Sequence, residues 1–257
     1  MLDRSFGLRL KYLKAPLSGI IFILFFSYSL LAQENKKGET LFGLEVKAII
    51  PGKILNAGPI SLGDDSIDVT IKSPNGYSIG MVVRHNFTKM FSLETGLHLT
   101  NSYYHIQFEN SNKGIISESK IQLVSYEIPI QWLLYIRLGE QVYMNTILGI
   151  SLDIFPTDVT VTEDSYAYII ILDSWIQASL LASVGFEYRT EKSGFFYMGA
   201  SLHRPFNDIG NFSLSYYNNN SLTEYVTFSS PITGTYLSMD FRYFFPKKEK
   251  IVAPKYY

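Results

Sequence analysis

The sequence predicts an all-β fold: an eight-stranded antiparallel up-and-down transmembrane β-barrel with short periplasmic turns and long extracellular loops. Three observations carry this. Beyond Lys37 the chain holds eight runs of alternating apolar and polar residues and no sustained helical period. The connections between the runs alternate short and long. Within the runs, charged residues fall on one face and large apolar residues on the other.

Composition suits strands. Aromatic residues make up 15% of the chain and charged residues 18%, and Tyr and Phe pack well on pleated surfaces. The absence of cysteine excludes a disulfide framework, thiolate metal sites and a lipid-modified N-terminal Cys. A formal net charge of -1 argues against nucleic acid as a partner.

Residues 1–32 read as a signal peptide. Arg4, Arg9, Lys11 and Lys14 form a basic region, Ile20 to Phe26 lie in an apolar stretch, and Ser29-Leu30-Leu31-Ala32 offers a small residue before Gln33. A retained anchor is the competing reading, but Leu17 to Ala32 falls short of the roughly 20 residues a spanning helix needs. Residues 33–39 are then a linker, 40–245 the barrel, and 246–257 a periplasmic tail.

The expected strands are 40–50, 76–87, 91–107, 120–137, 141–154, 174–190, 195–204 and 234–245. Most exceed a typical soluble strand and reach the roughly 9–11 residues that cross a bilayer at a tilt. The connections 88–90, 138–140 and 191–194 are short, whereas 51–75, 108–119, 155–173 and 205–233 are long. Outer-membrane barrels distribute periplasmic turns and outer loops in this way. An exported N-terminus places every long loop outside the cell.

One face of these strands collects residues such as Phe42, Met81, Leu97, Trp132, Leu148 and Met198, with no charge among them. The other collects Glu45, Lys47, Arg84, Glu94, His98, Glu127, Arg137, Asp153, Glu187, Arg189, Asp240 and Arg242. Acids and bases nearly balance there. A narrow interior demands that balance, because an unpaired enclosed charge costs several kcal/mol. The charged face is therefore expected to line the lumen and the apolar face to meet outer-membrane lipid. Aromatic girdles are expected from Tyr103, Tyr104, Trp175 and Tyr236 at the outer interface and Phe87, Tyr188, Phe196, Tyr243 and Phe245 at the inner one. The structural alternative is a soluble calycin-like barrel that turns the apolar face inward around an apolar ligand.

The fourth strand reads SYEIPIQW, Ser125 to Trp132, with Pro129 where a strand normally bulges or lies at an edge. With the LLAQ export boundary, this resembles the outer-membrane β-barrel family common in Bacteroidetes and often labelled PorT-like, among the small barrels of the OmpX and OmpA transmembrane type. Glu127, Ile128 and Pro129 match its mid-barrel strand, whereas Tyr126 stands where Leu is expected. The resemblance covers roughly residues 40–245. It implies an eight-stranded outer-membrane barrel handled by the barrel-assembly machinery, with some relatives tied to protein secretion.

Signals for chemistry are sparse. Ser201 and His203 share a face two residues apart, with Glu187 or Asp240 within reach from neighbouring strands, but no G-x-S-x-G elbow accompanies them. His85, His98, His105 and His203 show no ligand spacing, so no metal site and no cofactor are expected. Asp64, Asp65 and Asp68 read as an acidic solvated loop. The Tyr- and Asn-rich stretch Phe212 to Phe228 is the better candidate for recognition, with Tyr216, Tyr217 and Tyr225 as outer-loop binding residues. The expected function is a non-enzymatic structural, binding or secretion-associated role. A narrow small-solute channel and a lipid-modifying hydrolase are the alternatives.

Overall fold

A computed structural model describes residues 38–50, 59–63, 66–112, 114–162, 166–190, 192–217 and 225–246. The expected signal peptide (1–32), most of the linker (33–39) and all of the tail but Pro246 lie outside the described residues. Thirteen strands are present among them: β1 (Glu39–Ile50), β2 (Ile60–Gly63), β3 (Ile67–Asn86), β4 (Phe91–Asn110), β5 (Ile115–Arg137), β6 (Val142–Ile154), β7 (Val159–Thr162), β8 (Tyr166–Leu172), β9 (Ile176–Thr190), β10 (Gly194–Pro205), β11 (Gly210–Tyr217), β12 (Tyr225–Ile232) and β13 (Tyr236–Phe244).

Eight of these strands close a ring. β1, β3, β4, β5, β6, β9, β10 and β13 pair antiparallel in chain order, and β13 returns to β1. Closure leaves no ring strand with an unpaired edge. The turns between β3 and β4, β5 and β6, and β9 and β10 are tight and share one end of the ring. In the first, Thr88 Oγ1 accepts hydrogen bonds from the Met90 and Phe91 amides at 3.1 and 2.9 Å, the means by which a hydroxyl steadies a turn.

Pro129 produces neither the bulge nor the edge that its residue type suggests. The β4–β5 ladder runs in one register on either side of it, Thr95 opposite Ile130 and His98 opposite Glu127, and is interrupted only at Ile128 and Pro129. On the other side Pro129 pairs with Ser151 of β6. A missing N–H thus interrupts one ladder locally without shifting it.

The outer face of the ring is apolar: Phe42, Met81, Trp132, Leu148 and Met198 are each between 57% and 63% exposed. The enclosed face carries buried Glu, Asp, Lys and Arg side chains. This is the reverse of a calycin-like barrel with an apolar interior.

Towards the long-loop end the polarity inverts along the same strands. On the enclosed face of β4, Glu94, His98, Thr100 and Ser102 give way to Tyr104, Ile106 and Phe108, all buried. On its outer face Leu97 and Leu99 give way to His105, Gln107 and Glu109. A one-residue register slip between Lys72 and Asn75 in β3 marks the junction, with Pro74 inside it, where a bulge accommodates the missing donor. Above that level β2 and the upper parts of β3, β4 and β5 form one layer. β12, β11, β8 and β7 form a second sheet in that order; β12 lies against β2 and β7 against β5. The two layers enclose a core that includes Ile106, Phe108, Tyr168, Ile170, Phe212 and Leu214.

The upper storey corrects the expected strand bounds. β3 begins at Ile67 rather than 76, β4 runs on to Asn110, and β5 starts at Ile115 rather than 120. The expected long connection 108–119 shrinks to 111–114, closed by Gly114 at a φ of 62°. The other three long connections hold β2, then β7 and β8, then β11 and β12. These strands escape a local reading because they are short, and pairing partners far away in the chain stabilise them. Two girdle expectations also change: Tyr104 and Tyr236 are buried inside rather than at the outer interface. At the short-turn end the exterior aromatics do gather, Phe196 5.0 Å from Tyr243 and Tyr243 5.4 Å from Phe245.

Phe212 is fully enclosed between the layers, so Phe212→Ala should destabilise the upper storey by about 3–5 kcal/mol. Limited proteolysis should then cut between residues 205 and 236 faster than in the parent, while the heat-modifiable electrophoretic mobility of the closed ring stays unchanged.

Candidate functional site

Period-two alternation brings charges from six strands into this network. Arg84 of β3 donates through Nε to Glu94 of β4 at 2.8 Å and through Nη1 to Glu187 of β9 at 2.5 Å. Glu187 also accepts from Arg189 at 2.6 Å. Arg242 of β13 donates to Glu45 of β1 at 2.6 Å and pairs with Glu94 at 2.8 Å. His98 Nε2 lies 2.7 Å from the second oxygen of Glu45, and Lys47 donates to Glu127 of β5 at 3.0 Å. Apart from Arg189, which is 9% exposed, these side chains are almost inaccessible to solvent. Two carboxylates, Glu94 and Glu187, are thus shared between cations, which spreads compensation along a chain rather than in isolated pairs.

The backbone makes room for this. A Cβ at Gly80 would overlap the His98 ring, so only glycine lets the imidazole lie flat against the wall. Towards the short-turn end the lumen holds two apolar clusters, Leu133, Tyr135, Tyr143, Ile147 and Tyr197 in one and Leu41, Val82 and Phe244 in the other, beside the buried Ser92–Asn86 hydrogen bond. Arginine planes rest on this floor, Arg84 3.9 Å from the Phe244 centroid and Arg189 3.9 Å from that of Tyr143, a favourable contact for a delocalised cation.

At the upper end, just beneath the apolar storey, Glu127, Asp153 and His203 meet. His203 Nε2 is 3.0 Å from Asp153 Oδ2. Asp153 also accepts from Ser151 at 3.0 Å and from Ser179. Tyr236 stacks on the His203 ring at 4.6 Å between centroids and 7° between planes. These groups, with Thr100 and Phe155, line a cavity of about 20 Å³, room for one water-sized body.

Of the residues singled out from sequence, Glu45, Lys47, Arg84, Glu94, His98, Glu127, Asp153, Glu187, Arg189, Asp240 and Arg242 all face the lumen and are buried. Arg137 does not join them. It follows the same alternation but lies at the end of β5, exposed, donating to the Gly139 carbonyl at 2.8 Å. Tyr216 is buried in the upper core, stacked on Phe108 at 5.3 Å, and so is no surface contact. The side chains of Tyr217 and Tyr225, and all of Asp64 and Asp65, lie outside the described residues. Ser201 donates to Asp240 whereas His203 turns to Asp153, so the expected Ser-His-acid set divides between two carboxylates. The Glu127, Asp153 and His203 cluster was invisible to motif spacing because β5, β6 and β10 each supply one member.

No family model matches the chain, and no curated protein matches it. Among solved structures, the outer membrane protein OprG from Pseudomonas aeruginosa is similar at 15% identity and a TM-score of 0.48, covering 84% of this chain and 100% of that one. The outer membrane protease OmpT from Escherichia coli is similar at 13% identity and a TM-score of 0.34, covering 84% and 99%.

Because Arg84 compensates two buried carboxylates at once, Arg84→Met should cost about 3–5 kcal/mol, as expected when one partner of a buried ion pair is removed. Equilibrium unfolding in detergent micelles checks this. A midpoint equal to the parent's would mean that the network contributes little.

Proposed function

We propose that the chain is an outer-membrane barrel of the PorT-like kind, with a structural, binding or secretion-associated role rather than that of a channel or an enzyme. The observation that carries this reading is an interior occupied from end to end: an apolar floor, a charge network above it, and an apolar core above that. Eight strands enclose just enough space for side chains to fill, and described side chains occupy each of these layers. The exposed apolar wall supports burial in lipid, since a soluble protein rarely exposes so continuous a surface.

On this reading the upper storey is a rigid pedestal, and partners meet its rim. Tyr217 and Tyr225 flank the tip of the β11–β12 hairpin and remain the proposed recognition residues; Tyr216 serves the core beneath. Tyr243 to Phe245, at the end of β13, is the segment offered to the assembly machinery.

Planar-bilayer recording should give no stable conductance from the refolded protein. Steady single-channel steps would favour the narrow-channel reading instead. Orientation has its own test in this cysteine-free chain. Single cysteines replacing Leu97 and His98 should differ, a lipid-restricted thiol probe labelling position 97 and sparing 98. The reverse pattern would remove the membrane reading altogether.

A further inference from the structure

Among the described residues the lumen encloses more carboxylates than Lys and Arg side chains. Glu45, Glu94, Glu127, Asp153, Glu187 and Asp240 face Lys47, Arg84, Arg189 and Arg242 and the imidazoles of His98 and His203, so carboxylates exceed Lys and Arg by two. The deficit is concentrated at the upper end. Glu187, Glu94, Glu45 and Asp240 all lie within 4 Å of an arginine nitrogen, whereas Glu127 has the ammonium of Lys47 at 3.0 Å and the His98 imidazole at 3.9 Å, and Asp153 has hydroxyls and an imidazole.

We propose that Glu127, Asp153 and His203 bind one divalent transition-metal ion of the zinc class, which ties β5, β6 and β10 together beneath the upper storey. One ligand atom from each residue lies within 4.8 Å of the others. Tetrahedral zinc holds its ligands about 3.3 Å apart. His203 and Asp153, at 3.0 Å, already approach that spacing, and a rotamer adjustment of Glu127 completes it. The cavity the three share supplies space for the ion or its water.

The surroundings are built as metal sites are. Ser151 and Ser179 hold Asp153 from behind, Lys47 holds Glu127 by one oxygen, and Tyr236 fixes the plane of the imidazole, the outer contacts that orient ligands. The other oxygen of Glu127 has only the Tyr236 hydroxyl at 3.5 Å, at the limit of a hydrogen bond, and is left for an ion. One nitrogen with two carboxylates suits zinc better than calcium, which takes six to eight oxygens. A cavity for one water-sized body, capped by apolar core, has no room for a substrate, so the ion's role is to cross-link strands and offset charge.

The test uses the full chain, without an affinity tag, refolded in detergent micelles and treated with chelator. Added Zn²⁺ should remain bound at one per chain through gel filtration, and Co²⁺ should give the ligand-field bands of a four-coordinate site with nitrogen ligation. His203→Gln and Asp153→Asn should each abolish retention. Ser179→Ala should weaken it roughly 10- to 100-fold, and replacing His85 and His105 together should leave it unchanged. The proposal is overturned if the folded parent retains no Zn²⁺ and shows no Co²⁺ bands, if a folded His203→Gln chain retains Zn²⁺ equally, if removing His85 and His105 abolishes binding, or if Ca²⁺ displaces Zn²⁺ at equal concentration. Should the ligand variants fail to fold, the Co²⁺ spectrum of the parent decides alone.

Discussion

Closing an eight-stranded sheet around ionised side chains imposes one demand on everything else: each enclosed charge must meet its opposite inside a space too narrow for bulk water. Arg84 and Arg242 meet that demand together. Between them they reach Glu94, Glu187, Glu45 and Asp240, and so connect β1, β3, β4, β9 and β13 through side chains as well as through the ladder. Register follows from this. A slip of one residue in β3 would carry Arg84 to the apolar exterior and strand two carboxylates within. Glycine at position 80 follows too, because the wall must recede where His98 lies against it.

The second organising feature is a change of solvent along continuous strands. Over its lower half β4 places charge inside and leucine outside; over its upper half it places Tyr104, Ile106 and Phe108 inside and polar residues outside. The peptide ladder is indifferent to this and runs through with one pairing scheme. Side chains therefore distinguish the two storeys, with apolar residues exposed on the lower one and polar residues on the upper one. The slip at Lys72 and Asn75 sits at that same level. Strand order is thus set by hydrogen bonding and closure, and the level at which the polarity inverts by residue type alone.

Much of the ring was legible for this reason. Alternation, strand length and the short–long rhythm of connections are local signals, and eight strands with an enclosed charged face follow from them. The upper storey was less legible, although part of its signal was present: the even positions of β4 turn apolar at Tyr104, and tracking each face separately reveals it. β7, β11 and β12 are short and rich in Ser, Thr and Tyr, and resemble a loop until their partners are known, whereas β8, YAYIIIL, carried an apolar signal of its own. Tyr216 illustrates the cost of that. Its neighbours in sequence are those of a hydrophilic loop, yet Phe108 from another hairpin buries it. Arg137 illustrates the converse, because alternation assigns a face but cannot say where the lumen ends.

The junction between storeys concentrates the chemistry the lumen leaves over. Below it, arginines are plentiful enough to bind the carboxylates; above it, among the described residues, the buried side chains include no Asp, Glu, Lys or Arg. Glu127 and Asp153 lie at the boundary, too deep for bulk water and with no arginine ion pair, with one lysine and two imidazoles around them. A fold that needed only neutrality could have placed Asn or Ser there at no electrostatic cost. Two carboxylates and a histidine from three strands, braced by hydroxyls and an aromatic stack around a water-sized cavity, are better matched to a positive ion than to any side chain the barrel itself supplies.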